Sequence, residues 1–392
     1  MIRTKFTTKD GIYSVDNLDD GTYKISISAN GYQRYDIIII AQKGIITYAE
    51  TAKMVSRTST TGTVNGEIVN AVTGQGITGT SYKVYKGWNI TDGDVIASGN
   101  FESSDYELEL ENGNYTLEVA KDGFITNCVN IAIQENLCML QNITLSPENN
   151  GSLDGNEKEN IRIVLTWGET PEDLDSHLFG PVQGDSDSLF HTAFYQKEYY
   201  DDGKLIANLD LDDTTSYGPE TTTIYSVAEQ GIYSYFVHDY TNKFKNFSTE
   251  LSASGAKVQV YVGNTLYYTF NVPTGCEGTN WHVFDYNAQT DTITPVNTFA
   301  YTDSSDNVMT ATASLDEEYT MDYESRLLHE FWNLPEKEKT GEEKNEFGSL
   351  DAKSDIIESE SQSAEQELTD KEDTDIPEFT AGESSEEFNS EE

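Results

Sequence analysis

Polar and apolar side chains alternate with a period of two through much of the first 300 residues, and no helical period appears before Ser325. Val258, Val260 and Val262 alternate in this way, and Gly263-Asn264 follows them as a candidate two-residue turn. Such alternation turns one face of a strand inward, and Gly and Asn tolerate the positive φ angles of tight hairpins. The pattern therefore predicts an all-β chain.

One β unit occurs twice. YSVDNLDDGTYKISISANGYQRYDIIII begins at Tyr13, and YELELENGNYTLEVAKDGFITNCVNIAI begins at Tyr106. Both contain Leu-x-x-Gly-x-Tyr between alternating stretches, followed by a Gly-aromatic pair. Asp20-Gly21 and Asn112-Gly113 have the composition of tight hairpin turns. We therefore expect two successive copies of one β module.

The segment TGTVNGEIVNAVTGQGITGTSYKVYKG precedes the second copy. It resembles the opening of a carboxypeptidase regulatory-like domain, a transthyretin-like β-sandwich that is related to Cna-B-type modules of Gram-positive surface proteins. The resemblance implies a partial sandwich over residues 1–58 and a full one over 60–147, with strands around Val64 to Val69 and Ser81 to Tyr85. It also implies an extracellular or cell-surface bacterial protein in which these modules serve as spacers.

The rest of the chain divides by composition. The polar stretch at 148–160 reads as a linker, and strand patterns resume from IRIVLTW to WHVFDYN, which predicts a third β-sandwich over 161–300. Residues 301–392 contain 29 Asp or Glu and 6 Lys or Arg, a net charge of −23. Such a segment buries too little apolar surface to offset its ordering entropy, so we expect a mostly disordered tail with a short helix near 323–334.

Charge and hydropathy restrict the partners. The formal net charge of −45 predicts repulsion from nucleic acid and anionic membranes. The longest aliphatic run, DIIIIA from Asp36, is too short to span a bilayer, so no membrane insertion is expected. No signal peptide opens the chain, which enters a repeat halfway and is therefore interpreted as a fragment of a secreted protein. The oligomeric state has no sequence signature.

The cysteines suggest neither a disulfide framework nor a zinc motif, since the chain holds three and no CxxC pair. Buried free thiols are the simpler interpretation. A bridge between Cys128 and Cys138 across a hairpin is the alternative.

Two acidic stretches of the third domain, DLDSHLFGP and LDLDDTTSYGPE, are the main candidates for function. Calcium takes six to eight oxygen ligands, and loops at one end of a β-sandwich can bring both stretches together. The same acids could instead cap turns by accepting hydrogen bonds from local backbone amides. The predicted calcium ligands are Asp173, Asp175, Asp210, Asp212, Asp213 and Glu220.

The same stretches resemble the YfaP-like family of bacterial secreted domains, whose biochemical role is largely unassigned. That family combines a strand ending in Leu-x-Trp, an Asp-Leu-Asp-x-His step and a later Gly-Pro-Glu turn. The calcium-binding domains at the C-termini of many bacterial peptidases carry a similar run. The matching positions are Leu165, Trp167, Asp173, Asp175, His177, Asp210, Asp212, Asp213, Gly218, Pro219, Glu220, Gly231 and Tyr233.

Three further hypotheses compete with calcium. A zinc site could use His177, His191 and His238, although no local His pair such as HExxH fixes two ligands. Catalysis is not expected, because no acid pair is singled out and no Gly-x-Ser-x-Gly elbow or phosphate loop is present. Exposed aromatics could bind a carbohydrate or a protein surface. The candidate ligand-binding residues are Tyr195, Tyr199, Tyr200 and Tyr235.

The sequence thus predicts a non-catalytic bacterial surface or secreted protein in which β-sandwich spacers carry a calcium-stabilised binding module. The alternatives are an adhesin module without metal and the accessory region of a larger secreted hydrolase.

Overall fold

The structure is a computed structural model. At 185–187, 302 and 308–311 it describes the backbone without the side chains. All described residues belong to the first of two compact units, 1–338 and 339–392. The disordered tail was expected from 301 onward, but 301–302 and 308–311 are described and lie in strands. The rest of the tail and its helix near 323–334 lie outside the described residues. The residues that the structure describes are 11–58, 60–149, 159–182, 185–245, 247–302 and 308–311.

The N-terminal part of the chain forms an antiparallel hairpin of β1 (Gly21–Ile27) and β2 (Tyr35–Ala41). The fully buried Trp88 joins this hairpin to the next module, because its backbone N–H donates to the Asp36 carbonyl at 2.9 Å and its carbonyl accepts from Ile38 at 3.1 Å. Residues 11–19, which were expected to hold a strand ahead of the first turn, contain none.

The second module is a sandwich of two sheets. One has the order β10-β3-β6 with β9 also paired to β3, and the other has the order β5-β4-β7-β8. Its core includes Val64, Ile68, Leu117 and Ile131. The strands are β3 (Thr61–Asn70), β4 (Thr80–Lys86), β5 (Val95–Phe101), β6 (Asp105–Glu111), β7 (Gly113–Ala120), β8 (Asn127–Ile133), β9 (Cys138–Leu140) and β10 (Ile143–Leu145).

The tight hairpin predicted at Asn112-Gly113 is wrong. β6 pairs with β3, whereas β7 pairs with β4 and β8, so the chain passes from one sheet to the other at this point. Gly113 serves close packing instead of a positive φ angle, because a Cβ there would lie 2.8 Å from the Tyr115 hydroxyl oxygen. A local turn signal cannot report which sheet each flanking strand joins.

The third module is a larger sandwich of two six-stranded sheets, with the orders β14-β15-β16-β11-β18-β19 and β13-β12-β17-β20-β21-β22. Its core contains Trp167, Trp281 and Phe284. The strands are β11 (Ile161–Thr166), β12 (Leu174–Val182), β13 (Asp185–Thr192), β14 (Glu198–Asp201), β15 (Lys204–Leu211), β16 (Glu220–Ile224), β17 (Ile232–Asp239), β18 (Lys257–Val262), β19 (Thr265–Asn271), β20 (Asn280–Asn287), β21 (Thr292–Thr302) and β22 (Val308–Ala311).

The predicted all-β sandwich class is confirmed. Gly263-Asn264 connects β18 and β19, with Val262 opposite Thr265. In the described part of the chain the one helix is α1 (Glu250–Ala253), and no helix there has the length and apolarity needed to cross a membrane. The cysteines are free thiols, as expected, but Cys128 and Cys138 are exposed instead of buried.

Buried polar contacts join the second and third modules, and we call this set the junction. Thr221 Oγ1 donates to the Ala71 carbonyl at 2.6 Å. Asn127 and Gln259 pair through their side-chain amides, with Gln259 Nε2 donating at 3.1 Å. Arg162, which is 6% exposed, donates from Nη1 to Ser146 Oγ at 2.9 Å and to the Pro147 carbonyl at 2.7 Å.

Candidate functional site

The strand β12 positions the first candidate ligands by simple alternation. Leu174 and Leu178 point into the core of the third module. Asp175 and His177 therefore lie on the opposite face of the strand, as expected from its period of two. Asp175 stands directly opposite His238 of β17 in the antiparallel register. Such opposed pairs have Cβ atoms about 5 Å apart, so the two side chains meet.

Asp175, His177 and His238 form what we call the nitrogen triad. One ligand atom from each residue lies within 4.8 Å of the other two. The three side chains are buried, with 0%, 0% and 2% exposure. His238 Nδ1 lies 3.8 Å from Asp175 Oδ2. Two imidazoles and a carboxylate thus converge at a site that excludes most water.

Asp175 also belongs to what we call the oxygen triad, with Asp212 and Glu220. Their carboxylate oxygens lie within 4.8 Å of one another. Glu220 is fully buried and accepts a hydrogen bond from the backbone N–H of Ser176 at 2.6 Å. The Asp212 side chain is 13% exposed and forms an ion pair with Lys197 at 3.0 Å.

The edges of the two sheets explain this convergence. β13 begins to pair with β12 only at Leu178, so residues 174–177 have β17 on one side and an open edge on the other. Glu220 starts β16 in the opposite sheet, and Asp212 follows the end of β15. The connection between β15 and β16 therefore brings two carboxylates to the open edge of β12.

Without a cation, repulsion among the three carboxylates of the oxygen triad destabilises the folded chain. Carboxylates this close repel each other, and burial removes the water that would screen them. A divalent ion between the oxygens converts that repulsion into attraction. Lys197 contributes one positive charge at the exposed side of the cluster, at Asp212.

His191 lies behind the nitrogen triad. Its Nε2 is 2.9 Å from His177 Nδ1, and its Nδ1 is 2.8 Å from the Tyr195 hydroxyl. Burial lowers the pKa of His191 to about 3, so its ring is neutral at physiological pH and one ring nitrogen accepts while the other donates. The direction of this chain of hydrogen bonds depends on which tautomer His177 adopts.

Three predicted calcium ligands lie outside both triads. Asp213 accepts from the backbone and hydroxyl of Thr215, at 2.8 and 2.7 Å, which is turn capping. Asp173 is 8% exposed. Its backbone N–H donates to Thr241 Oγ1 at 2.9 Å, and its carbonyl accepts from the backbone N–H of Thr241 at 3.4 Å. Asp210 accepts from Asn208, Thr223 and Tyr225. Burial raises the pKa of Asp210, an effect that these hydrogen bonds and the nearby Arg162 only partly offset.

The predicted aromatic surface is partly wrong. Tyr235 is 0% exposed, because its ring lies in the core and its hydroxyl bonds Ser176 Oγ at 2.6 Å. It therefore cannot stack on a ligand. Tyr199 is half-buried and stacks on Phe190 with ring centroids 4.2 Å apart. Tyr195 and Tyr200 are 40% and 51% exposed.

Sequence reasoning placed Asp175 and His177 on one strand face, named Glu220 as a calcium ligand and grouped His177 with His191 and His238 as an alternative zinc site. It did not count Asp175 among the ligands of that site, whereas the structure places Asp175 with His177 and His238 and leaves His191 outside this set. It also missed Lys197 as a partner of Asp212. Strand alternation gave the first pair. The other positions depend on register and on the approach of two sheet edges, which no local pattern encodes.

Comparisons with known proteins leave the family open. No protein-family model and no curated protein matches the chain. A crystal structure of a protein of unknown function is 15% identical with a TM-score of 0.28, and the match covers 38% of this chain and 93% of that one. A streptococcal ancillary pilin is 13% identical with a TM-score of 0.19, covering 56% and 66%.

A proposed carbohydrate-binding protein from Bacteroides uniformis is 12% identical with a TM-score of 0.19, and the match covers 54% of this chain and 96% of that one. TM-scores this low support no conclusion about function. The carboxypeptidase regulatory-like and YfaP-like resemblances stay predictions, and the functional proposal rests on the side chains themselves.

Proposed function

We propose that the chain is a non-catalytic, modular surface or secreted protein whose third β-sandwich is a binding module stabilised by calcium. The observation that carries this proposal is the oxygen triad of Asp175, Asp212 and Glu220, whose oxygens lie within 4.8 Å of one another. Of the six predicted ligands, these three are the ones retained. The extracellular location rests on the sequence resemblance of the first two modules.

Calcium suits the oxygen triad by chemistry and by position. Three carboxylates offer up to six oxygens, and calcium accepts six to eight in flexible geometry with water completing the set. Asp175 belongs to one sheet of the sandwich and Glu220 to the other. An ion held by both would tie the sheet edges together where β12 has a neighbouring strand on one side only.

The junction supports a spacer role for the preceding module. Polar contacts at Ala71, Asn127 and Ser146 connect it to the third module. A bonded junction of this kind presents the binding module at a fixed orientation, which suits a protein that holds a domain away from a surface.

The test is a thermal melt of the full chain with calcium and with chelator. A ligand that binds only the folded state stabilises it by about 2.7 kcal/mol at 100 times its Kd. We expect calcium to raise the Tm of the wild-type chain, and Asp212→Asn or Glu220→Gln to abolish that rise. The melt is preferable to a binding titration because the acidic tail would take up calcium loosely.

Asp213→Asn is the matched control, since Asp213 lies beside Asp212 but bonds Thr215. Its calcium-dependent rise should equal that of the wild-type chain. An unchanged wild-type Tm at millimolar calcium would rule out the calcium proposal and leave the acids as capping groups.

Exposed aromatics favour a second candidate, binding of a carbohydrate or protein surface without metal. Tyr195 and Tyr200 offer rings at 40% and 51% exposure, and such rings stack on sugars or on apolar partners. A glycan array probed with the wild-type chain and with Tyr200→Ala tests this candidate. Binding that Tyr200→Ala leaves unchanged would contradict a role for this ring.

A further inference from the structure

We infer that the nitrogen triad, Asp175, His177 and His238, binds a transition-metal ion of the zinc type. This site goes beyond the proposed calcium site, and it rests on that proposal only in making Asp175 a ligand shared by two ions. The two triads have Asp175 in common and differ in every other ligand.

The donor set separates the two sites. Calcium and magnesium take oxygen ligands, whereas imidazole nitrogen suits zinc and its neighbours in the first transition row. Zinc is held by His nitrogen and carboxylate oxygen, often with three protein ligands and one position for water. His177, His238 and Asp175 match that set in type and number.

The three ligands are also held rigidly. His177 and His238 sit on the adjacent strands β12 and β17, with Asp175 directly opposite His238. All three are nine-tenths buried or more. A rigid, dry and closely spaced set of donors lowers the cost of organising a metal site.

His191 supplies the outer support that metal-bound histidines usually have. Ligating imidazoles generally donate their other N–H to a neighbour, which fixes the tautomer and the ring orientation. His177 Nδ1 lies 2.9 Å from His191 Nε2. His191 is itself fixed by stacking on Phe179 with ring centroids 3.9 Å apart.

This arrangement defines a direction of hydrogen bonding in the metal-bound state. His177 donates through Nδ1 to His191, and His191 donates through Nδ1 to the hydroxyl of Tyr195. The ring nitrogen of His177 that ligates is then Nε2. The competing arrangement is a metal-free network in which His238 pairs with Asp175 at 3.8 Å.

The experiment measures zinc bound to the full chain. The protein is stripped with chelator, dialysed against zinc in excess calcium and a weak competing chelator, and analysed for metal content. Calcium and the competitor suppress loose uptake by the acidic tail. We expect one tightly held zinc per chain, and Co²⁺ in its place should give the visible absorption of a low-coordinate nitrogen site.

Variants assign the ligands. His177→Gln and His238→Gln should each lose the tight zinc and the cobalt spectrum. His282→Gln is the matched control, because His282 is also buried but bonds Asp285 at 2.9 Å outside the triad. It should bind zinc as the wild-type chain does. Absence of tight zinc from the wild-type chain overturns the proposal even if a variant fails to fold.

The same variants distinguish the two metal proposals. His238→Gln should keep the calcium-dependent rise in Tm and lose the tightly bound zinc. Asp212→Asn should lose the calcium-dependent rise and keep the zinc. Asp175→Asn should lose both. If zinc binds but His177→Gln and His238→Gln retain it, the nitrogen triad is not the site, whatever calcium does.

Discussion

Arg162→Met should destabilise the chain strongly, because it removes a charge buried at the junction. Arg162 is 6% exposed and donates to Ser146, Pro147 and, at 3.3 Å, Thr223. Its two shortest hydrogen bonds are charge-assisted, worth about 1.5–3 kcal/mol each. Without Arg162, the Ser146 hydroxyl and the Pro147 carbonyl lose their guanidinium donor. The two bonds together predict a loss of about 4 kcal/mol at pH 7.

The loss should also depend on pH through Asp210. Burial already raises the pKa of Asp210, and the charge of Arg162 opposes that rise. Without Arg162 the folded-state pKa climbs further above the unfolded value, so the folded chain binds a proton more readily. A carboxyl group whose pKa is higher in the folded chain than in the unfolded chain lowers the free energy of unfolding at every pH above its folded-state pKa. This loss disappears as the pH falls to the unfolded-state pKa. The deficit of Arg162→Met should therefore shrink between pH 7 and pH 4.

Urea unfolding followed by tryptophan fluorescence measures the loss of stability and its pH dependence, since Trp167 and Trp281 lie in the core of the third module. Arg34→Met is the matched control: Arg34 is also paired, with Asp36 at 2.6 Å, but its side chain is 61% exposed. Exposed pairs contribute about 0–1 kcal/mol. A loss for Arg162→Met no larger than for this control, or one that grows in acid, would refute the reasoning.

Three further substitutions test close packing at one site and buried hydrogen bonds at two others. Gly180→Ala should cost about 1–3 kcal/mol or more in urea unfolding, because its Cβ would lie 2.4 Å from the Phe190 ring. Thr221→Val keeps the shape of the side chain but leaves the Ala71 carbonyl without its 2.6 Å donor, so a loss of about 1–3 kcal/mol is expected in the same assay. Trp88→Phe removes the indole N–H that bonds β8 at 3.1 Å, and calorimetry should show a lower Tm, whereas an unchanged Tm would contradict its anchoring role.

Local features of the fold could be predicted from sequence. Period-two alternation identified Val258, Val260 and Val262 as a strand, and Gly263-Asn264 as its turn, because both depend on neighbouring residues alone. The same turn signal failed at Asn112-Gly113. There the flanking strands join different sheets, a choice set by distant partners.

The choice of sheet face limited the prediction of the site. Asp175 and His177 share a face by alternation, which the sequence could establish. Tyr235 was placed on the surface, although its strand turns it into the core, because a shift of one residue reverses every side chain. His238 and Glu220 joined the cluster only through strand register and sheet packing, which are long-range properties.

The junction has a consequence for how the chain responds to cleavage. Residues 148–160 connect the two modules covalently, yet Thr221, Gln259 and Arg162 also hold them together through contacts with residues before that segment. A protease cut within 150–158 would sever the backbone without removing any of these bonds. The two fragments should therefore stay associated and migrate as one particle in a native gel, separating only when denatured.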